Sequence, residues 1–258
     1  IIFDTASVKR PAIADMQEYL PPHVEFVPTH PIAGSEQTGV SAGKADLFEK
    51  KRVIVTPDEP LQGEVLQKIN SFWERLGARV EGMPAELHDQ IYAYVSHLPQ
   101  LLAFATAVPF MGLPDAAKQS DTLAKFLRLT GSDRSLWDDI FDQNSDNIVH
   151  ALDDYLNVAC HIHDELTEAP DELPSEQDDK LARTLLFPRI AASCLISTVM
   201  QAERKSGFSY ARYAGTGFAD FTVPATAAPD AEIEQISNQA AALRPVLRQF
   251  IESLKLNA

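Results

Sequence analysis

The chain has 258 residues, enough for one large domain or two ordinary ones with sizeable hydrophobic cores. Its 22 basic and 37 acidic side chains give a formal charge of −15, which repels nucleic acid and anionic membrane surfaces. The longest apolar stretches, Leu101–Leu113 and Ile190–Met200, are shorter than the roughly 18 residues of a membrane span, and two cysteines cannot build a disulfide framework. We therefore expect a globular protein of the reducing cytoplasm, with no nucleic-acid or membrane partner.

The first third of the chain alternates short apolar runs with a helical pattern. Apolar residues recur at steps of three and four from Leu61 to Leu76, which predicts one amphipathic helix. Strands that alternate with helices are typical of a largely parallel sheet covered by helices. The predicted strands are Ile1–Phe3, Val24–Val27, Val53–Thr56 and Ala78–Val80.

From Pro84 onward the strand pattern stops and only helical periodicity continues. The sequence thus predicts an α/β domain over residues 1–85, followed by an all-α domain over residues 86–258. The segment His161–Lys180 is rich in acidic residues and proline, as expected of a solvated linker between helices. The predicted helices are Leu87–Met111, Asp133–Cys160, Asp178–Arg204 and Glu232–Leu254.

The helical part contains a candidate internal duplication. Leu98-Pro99-Gln100-Leu101 is followed 89 positions later by Phe187-Pro188-Arg189-Ile190. Six apolar residues are also matched by apolar residues 95 positions later. A six-residue insertion between the two sets of matches accounts for the difference between the offsets of 89 and 95. Matches of this kind also arise by chance, so the duplication is one of two readings. The residues are Leu123, Phe126, Ile148, Leu152, Tyr155 and Leu156, matched by Phe218, Phe221, Leu243, Leu247, Phe250 and Ile251.

Three polar clusters are candidates for chemistry. Asp4–Lys9 follows a predicted strand, where open α/β sheets place their ligands. His30–Glu36 follows another strand and supplies a titratable imidazole and the hydroxyl of Ser35. Ser96–Gln100 interrupts an apolar helix with polar groups and a proline. Each cluster alone also suits an ordinary role: a capping serine, a loop histidine and a proline-kinked helix.

Together these clusters resemble the prephenate/arogenate dehydrogenase family of tyrosine biosynthesis. The resemblance includes DTASVK at 4–9, HPIAGSEQTG at 30–39, LFEKKRVIVTP at 47–57 and ELHD at 86–89. It continues through SHLPQ at 96–100 and FLRLTGSDRSLWDDIFDQN at 126–144, and it covers the chain to about residue 165. It implies the C-terminal portion of a Rossmann-like nucleotide-binding domain and a 6-phosphogluconate-dehydrogenase-like helical dimerisation domain.

The resemblance implies an oxidative decarboxylation of prephenate or arogenate with NAD or NADP. In this family a histidine draws the proton from the substrate hydroxyl as hydride departs, and His30 matches it. Ser7 matches the serine between that histidine, the substrate and the nicotinamide, so it is both a catalytic and a cofactor-binding candidate. Ser35 is in position to bind the substrate.

The remaining substrate-binding candidates lie in the helical part. Arg128 matches the family arginine that binds the substrate's side-chain carboxylate, a task suited to a planar guanidinium. Ser96 and His97 belong to the SHLP motif, and Trp137 either lines the pocket or belongs to the core. Gln100 replaces a histidine of many members, which leaves the choice between prephenate and arogenate open.

Two absences limit the expected activity of this chain. The sequence has no Gly-x-Gly-x-x-Gly turn after a strand and no acidic or basic selector after one, so we expect a chain without the first part of its nucleotide domain and with weak cofactor affinity. Gly215-Thr216-Gly217 lies in the helical part and predicts a turn between helices. His161 and His163 are two positions apart and do not converge on one helix face, so no metal is predicted.

We expect a homodimer through the helical domain, with Arg128 serving its own or the neighbouring subunit's pocket. The competing interpretation is that the repeat makes one chain its own pseudo-dimer. Two alternative functions also stay open: another 6-phosphogluconate-dehydrogenase-like enzyme acting on a β-hydroxy acid, or a non-catalytic helical interaction or regulatory module.

Overall fold

The structure is a computed structural model that describes residues 1–33, 43–57, 63–110, 113, 121–166, 175–226 and 239–256. Several predicted features lie wholly or partly outside these residues. They are Ser35, the first residues of the helices predicted from Leu61 and Glu232, Met111, and part of the acidic segment at 167–174.

The described chain packs into two compact units. Unit 1 comprises residues 1–92 and 132–147, and unit 2 comprises residues 93–131 and 148–258. The predicted order, an α/β part followed by helices, is confirmed. The packing divides the chain within a helix, between Tyr92 and Ala93, and it assigns the helix at 134–143 to unit 1.

Unit 1 contains two small sheets. Strand β1 (Ile2–Phe3) pairs in parallel with β2 (Phe26–Val27). In the second sheet β4 (Arg52–Val55) lies between β3 (Thr29–Ile32), which is antiparallel to it, and β5 (Arg79–Gly82), which is parallel to it. Four of these strands correspond to predicted ones, and β3 was not predicted. Of the three strand pairings in the two sheets, two are parallel. The antiparallel pairing of β3 with β4 makes the second sheet a mixed one.

Helices cover these strands. Helix α1 (Lys9–Tyr19) follows β1, and the predicted amphipathic helix is α2 (Gly63–Arg75). Trp73 of α2 is buried and touches the rings of Phe3 and Phe48. Burial of such aromatic side chains contributes roughly 1.5–3 kcal/mol each and holds α2 on the strands. The core also includes Val27, Val53, Val55, Val65, Ile69 and Ala78.

Two more helices complete unit 1. Helix α3 (Ala85–Tyr92) packs on α1, and α6 (Arg134–Gln143) begins at the side-chain cap of Asp133. The helix predicted over Asp133–Cys160 breaks at Asn144, whose backbone leaves the helical region. The Asn144 amide donates to the carbonyl of Asp89, 2.8 Å away, and this contact fixes the break.

In the described residues of unit 2 the secondary structure consists of helices and the turns between them. Helix α7 (Ser145–Glu165) starts in unit 1 and runs into unit 2. The other helices of unit 2 are α4 (Leu98–Ala105), α5 (Asp121–Arg128), α8 (Glu176–Leu181), α9 (Phe187–Ser206), α10 (Thr216–Thr222) and α11 (Ala240–Leu256).

One continuous helical stretch, Glu176–Ser206, has the length and composition of a membrane span, with a mean hydropathy of 1.4 over its most apolar window. It is longer than the apolar run at Ile190–Met200 because the structure joins α8 to α9. Buried positions make up 61% of that window. Burial of this extent is what the central helix of a globular core shows, so the helix carries little weight as a sign of a membrane.

Candidate active site

The turn after β1 is built on a buried ion pair. The Asp4 carboxylate accepts from the Thr29 amide at 2.7 Å and from the Lys9 ammonium at 2.5 Å. Lys9 also donates to the Thr29 carbonyl at 2.6 Å, and the Thr29 hydroxyl donates to the Asp4 carbonyl. These contacts join the end of β1 to the start of β3.

Lys9 is a structural cation and not an open ligand site. Its side chain is fully buried, and burial lowers its pKa while the Asp4 carboxylate opposes that shift. Removing one partner of a buried pair leaves an uncompensated charge and costs about 3–5 kcal/mol.

Asp89 caps helix α1 from a distance of 80 residues in sequence. Its carboxylate oxygens accept from the Lys9 and Arg10 amides at 2.8 and 2.9 Å, the first two N–H groups of α1. Val8, the residue before the helix, offers no side-chain cap. A carboxylate at this position also interacts favourably with the positive end of the helix dipole.

His88 links Asp89 to the predicted base. The His88 ring is fully buried, with Nδ1 2.8 Å from Asp89 Oδ1 and Nε2 2.9 Å from His30 Nδ1. Burial lowers the pKa of His88, and the Asp89 carboxylate opposes that shift only in part. His88 is therefore neutral at neutral pH.

These contacts assign the tautomer of both imidazoles. Because a carboxylate can only accept in a hydrogen bond, His88 Nδ1 carries the proton and donates to Asp89, so Nε2 of neutral His88 is an acceptor. It accepts from His30 Nδ1, which leaves the lone pair of His30 on Nε2. Tyr92 packs beside both rings, with centroids 4.5 Å from His88 and 5.2 Å from His30. We call this chain of contacts the relay Asp89–His88–His30; it orients the His30 ring with its acceptor nitrogen at Nε2.

The lowered pKa of His88 predicts a loss of stability in mild acid. An unfolded histidine takes up a proton below about pH 6.5, whereas folded His88 resists it, so the unfolded state binds more protons and stability falls as pH falls. The slope reaches about 1.4 kcal/mol per pH unit for one proton. We expect His88→Asn, which keeps a donor toward Asp89 and cannot titrate, to flatten the pH dependence of urea unfolding between about pH 6.5 and 5.

The exposed His23 supplies the matched control for this measurement. His23→Asn should retain the wild-type slope. The carboxyl groups with lowered pKa values, such as Asp154, lose their contribution below about pH 4, outside this range. An unchanged slope in His88→Asn would show that His88 does not cause acid lability.

Three predicted site residues of unit 1, Ser7, His30 and Trp137, lie in different elements. Ser7 is half-buried in the turn that also holds Asp4 and Lys9. His30 lies within β3 and not in a loop after a strand, so the sheet fixes its backbone. Trp137 is half-buried on α6 and packs on Phe141, with centroids 5.7 Å apart.

Arg128 lies at the end of α5 in unit 2. Its Nε and Nη2 atoms are both 2.7 Å from Oδ2 of Asp220, on α10, and both side chains are partly exposed. The guanidinium that was predicted to bind a substrate carboxylate is therefore oriented by a carboxylate of the protein.

The Ser96–Gln100 cluster lies where a single turn of π-helix, Ala93–His97, meets α4. Such turns accommodate an extra residue in a helix and recur at functional sites. His97 and Gln100 are buried, and Ser96 is half-buried. The Gln100 amide donates to the carbonyl of Leu129 at 2.8 Å, which anchors the backbone next to Arg128.

Two weaker patterns have ordinary structures. Gly215 precedes α10 directly, in the turn between helical segments that the sequence predicted. Among the residues that the structure describes, no group of three or more His, Cys, Asp or Glu side chains is placed to hold a metal ion.

ELHD at 86–89 is part of the family resemblance, but no role was predicted for His88 or Asp89. A usable signal was present, because Ala85, His88 and Tyr92 recur at helical spacing on the buried face of α3. A histidine in that row with an aspartate next to it predicts two buried polar side chains, and buried polar groups need hydrogen-bond partners.

Known protein families and relatives are similar to this chain over most of its length. Residues 1–82 match the model of the prephenate dehydrogenase nucleotide-binding domain, and residues 84–185 match that of its dimerization domain. Cyclohexadienyl dehydrogenase of Zymomonas mobilis is 35% identical over 162 residues, which is 60% of this chain and 55% of the relative. Prephenate dehydrogenase of Bacillus subtilis is 26% identical over 168 residues, which is 60% of this chain and 43% of the relative.

Solved structures give the same picture. Prephenate dehydrogenase from Aquifex aeolicus, in complex with hydroxyphenyl propionate and NAD+, has a TM-score of 0.55 and 30% identity, covering 80% of this chain and 65% of that one. Synechocystis arogenate dehydrogenase has a TM-score of 0.52 and 25% identity, covering 80% of this chain and 69% of that one. The chain thus spans about half the length of the curated relatives it matches. Because the two family models together match most of its residues, the chain belongs to the prephenate/arogenate dehydrogenase family.

Proposed function

We propose that the protein catalyses the NAD- or NADP-dependent oxidative decarboxylation of prephenate or arogenate. The observation that supports this most directly is the relay Asp89–His88–His30, which places a lone pair on His30 Nε2. The family match and the relative in complex with NAD+ and a hydroxyphenyl compound support the same reaction class.

The residues of this chain fit the cofactor only in part. The sequence contains no glycine-rich turn after a strand, and Lys9, the cation of the β1–α1 turn, is buried against Asp4. We therefore assign no residue of this chain to the cofactor diphosphate, and Ser7 is the one candidate for the nicotinamide end. A bound nicotinamide supplies the hydride acceptor. The steps that follow concern only the proton.

His30 removes the hydroxyl proton of the substrate at Nε2 as the carbinol carbon is oxidised. The positive charge that forms on its ring is stabilised through His30 Nδ1–H, His88 and the Asp89 carboxylate. Proton removal by a positioned base of suitable pKa contributes about 10²–10⁴-fold. Loss of the ring carboxylate as CO2 needs little further help, because the product ring becomes aromatic.

Arg128 is the proposed site for the side-chain carboxylate of the substrate. Its planar guanidinium suits a bidentate contact with such a group. Ser35, Ser96, His97, Gln100 and Trp137 stay as proposed substrate contacts. Two free cysteines among the described residues, Cys160 and Cys194, suit a cytoplasmic location.

The dimerization-domain match supports pairing of two copies of this helical fold. A homodimer would supply the two copies from two separate chains. The match therefore supports a homodimer, and the alternative raised by the repeat is that one chain contains both copies.

Binding and turnover test the proposal separately. Calorimetric titration of the 258-residue chain should detect prephenate or arogenate, and the product of the complete reading frame should form reduced NAD or NADP together with 4-hydroxyphenylpyruvate or tyrosine. Turnover of a β-hydroxy acid without decarboxylation would indicate the related dehydrogenase class. If neither binding nor turnover is detected, the proposal is refuted and a non-catalytic helical interaction module is the function that remains.

A further inference from the structure

Two helical segments of unit 2 carry the same irregularity at the same spacing. A single π-helical turn occupies Ala93–His97 and another occupies Ala182–Leu186, 89 positions later. Each is followed directly by a helix with proline at its second residue, Pro99 in α4 and Pro188 in α9. A π-helical turn is rare, so its recurrence at one spacing is far more specific than apolar periodicity.

The later helices repeat as well. Helix α5 begins at Asp121 and α10 at Thr216, 95 positions apart. Each continues into a short 3₁₀ segment, and α7 and α11 begin at Ser145 and Ala240, again 95 apart. The segments before and after residue 175 are therefore two copies of one helical fold, which we call repeat 1 (93–166) and repeat 2 (176–256). Both lie in unit 2 except for residues 132–147 of repeat 1, which belong to unit 1.

Matched residues of the two repeats touch each other. Phe126 packs on its own counterpart Phe221, with ring centroids 4.6 Å apart, and both are fully buried. Tyr155 packs edge-on to its counterpart Phe250 at 6.3 Å. Residues contact their own counterparts only near the axis of a two-fold arrangement, the pattern of a symmetric dimer interface.

Polar contacts also join the repeats. Tyr155 donates to the Ala191 carbonyl at 3.2 Å, and Arg183 donates to the Pro109 carbonyl at 2.8 Å. The pair Arg128–Asp220 crosses from repeat 1 to repeat 2, and repeat 2 has Val223 in place of Arg128. The second repeat thus completes the surroundings of an arginine that it does not itself possess.

The described part of unit 2 exposes few large apolar side chains. Among its described residues, the large hydrophobic side chains that are exposed are Val149 and Met200. A stable dimer through intertwined helices buries a broad apolar face, which a single chain would leave open. The matching faces of the two repeats cover each other instead.

We propose that repeat 2 takes the place of a partner subunit, so that the chain is a monomeric pseudo-dimer whose single Arg128 is positioned by Asp220 of its own C-terminal half. The proposal does not depend on the proposed reaction. It predicts a stoichiometry of one carboxylate-binding arginine per chain.

Sedimentation equilibrium of the 258-residue chain tests this directly. We expect one species of 28.4 kDa whose mass does not change over a hundredfold range of concentration. Thermal unfolding gives a second measurement, because the Tm of an obligate dimer rises with concentration whereas that of a monomer does not. A dimeric mass, or a Tm that rises with concentration, would overturn the proposal.

A pair of variants separates internal packing from association. Phe221→Ala opens the contact with Phe126 and should lower Tm by about 10 °C at an unchanged mass. Tyr19→Ala, at a side chain 78% exposed, should change neither quantity. If the Phe221 variant instead converts a heavier species to the 28.4 kDa species, the interface lies between chains and the proposal is wrong.

Discussion

The variant His30→Asn is expected to lower kcat by about 10²–10⁴-fold while the affinity for prephenate or arogenate changes only a few-fold. The asparagine amide can still donate toward His88, which keeps the relay in place. It offers no lone pair where His30 Nε2 stood, so the substrate proton loses its acceptor. Steady-state kinetics on the product of the complete reading frame, with calorimetric titration of the substrate, measure the two effects separately.

Two comparisons make this result specific. His23→Asn, at an exposed histidine of the same unit, should retain wild-type turnover. His88→Asn should cause a smaller loss and move the acidic limb of the pH–rate profile, because His30 keeps its ring and loses its fixed tautomer. Unchanged turnover in His30→Asn would remove His30 as the base.

The sequence predicted the elements whose patterns are local. The spacing of apolar residues in α2 and the β-branched run of β4 depend on neighbours in the chain, and both elements form as expected. Strand β3 was missed because Thr29-His30-Pro31-Ile32 contains a proline and no alternation. The structure explains why a strand forms here. β3 is an edge strand of its sheet, and a proline is tolerated on an edge because the missing N–H is not needed for pairing with a further strand.

Features fixed by distant residues could not be predicted. Helix α1 has no local cap, since Asp89 provides it from a separate helix. The role of His88 likewise depends on a fold that brings α3 beside β3. The duplication was visible as apolar spacing, yet the recurring π-helical turns and the contact between Phe126 and Phe221 are what distinguish a folded repeat from coincidence. Family resemblance located His30 and Arg128, and physical contacts supplied their partners.

Arg128→Met is expected to raise KM for either substrate by about 10²-fold. The proposed contact is a charge-assisted pair between a guanidinium and a carboxylate, and truncating one partner of such a pair costs about 2–5 kcal/mol. Methionine retains much of the aliphatic stem, so the helical packing of α5 should persist. Arg134→Met, at a largely exposed arginine, is the matched control and should leave KM unchanged. A KM unchanged in Arg128→Met would place the substrate carboxylate elsewhere.

Because Asp220 lies next to Arg128, we expect its replacement to affect the reactions of prephenate and arogenate differently. Its carboxylate already occupies the Arg128 guanidinium and lies beside the proposed position of the substrate side chain. Both side chains end there in a carboxylate, but prephenate carries an uncharged ketone beside it, whereas arogenate carries an ammonium group that Asp220 attracts. We expect Asp220→Asn to lower the ratio of kcat/KM for arogenate to that for prephenate by about tenfold, equivalent to 1.4 kcal/mol. Asp153→Asn, at an exposed carboxylate of α7, should leave this ratio unchanged. An equal change for both substrates in Asp220→Asn would assign Asp220 to orienting Arg128 and not to selecting the substrate, because only a group that senses the ammonium charge can alter the ratio.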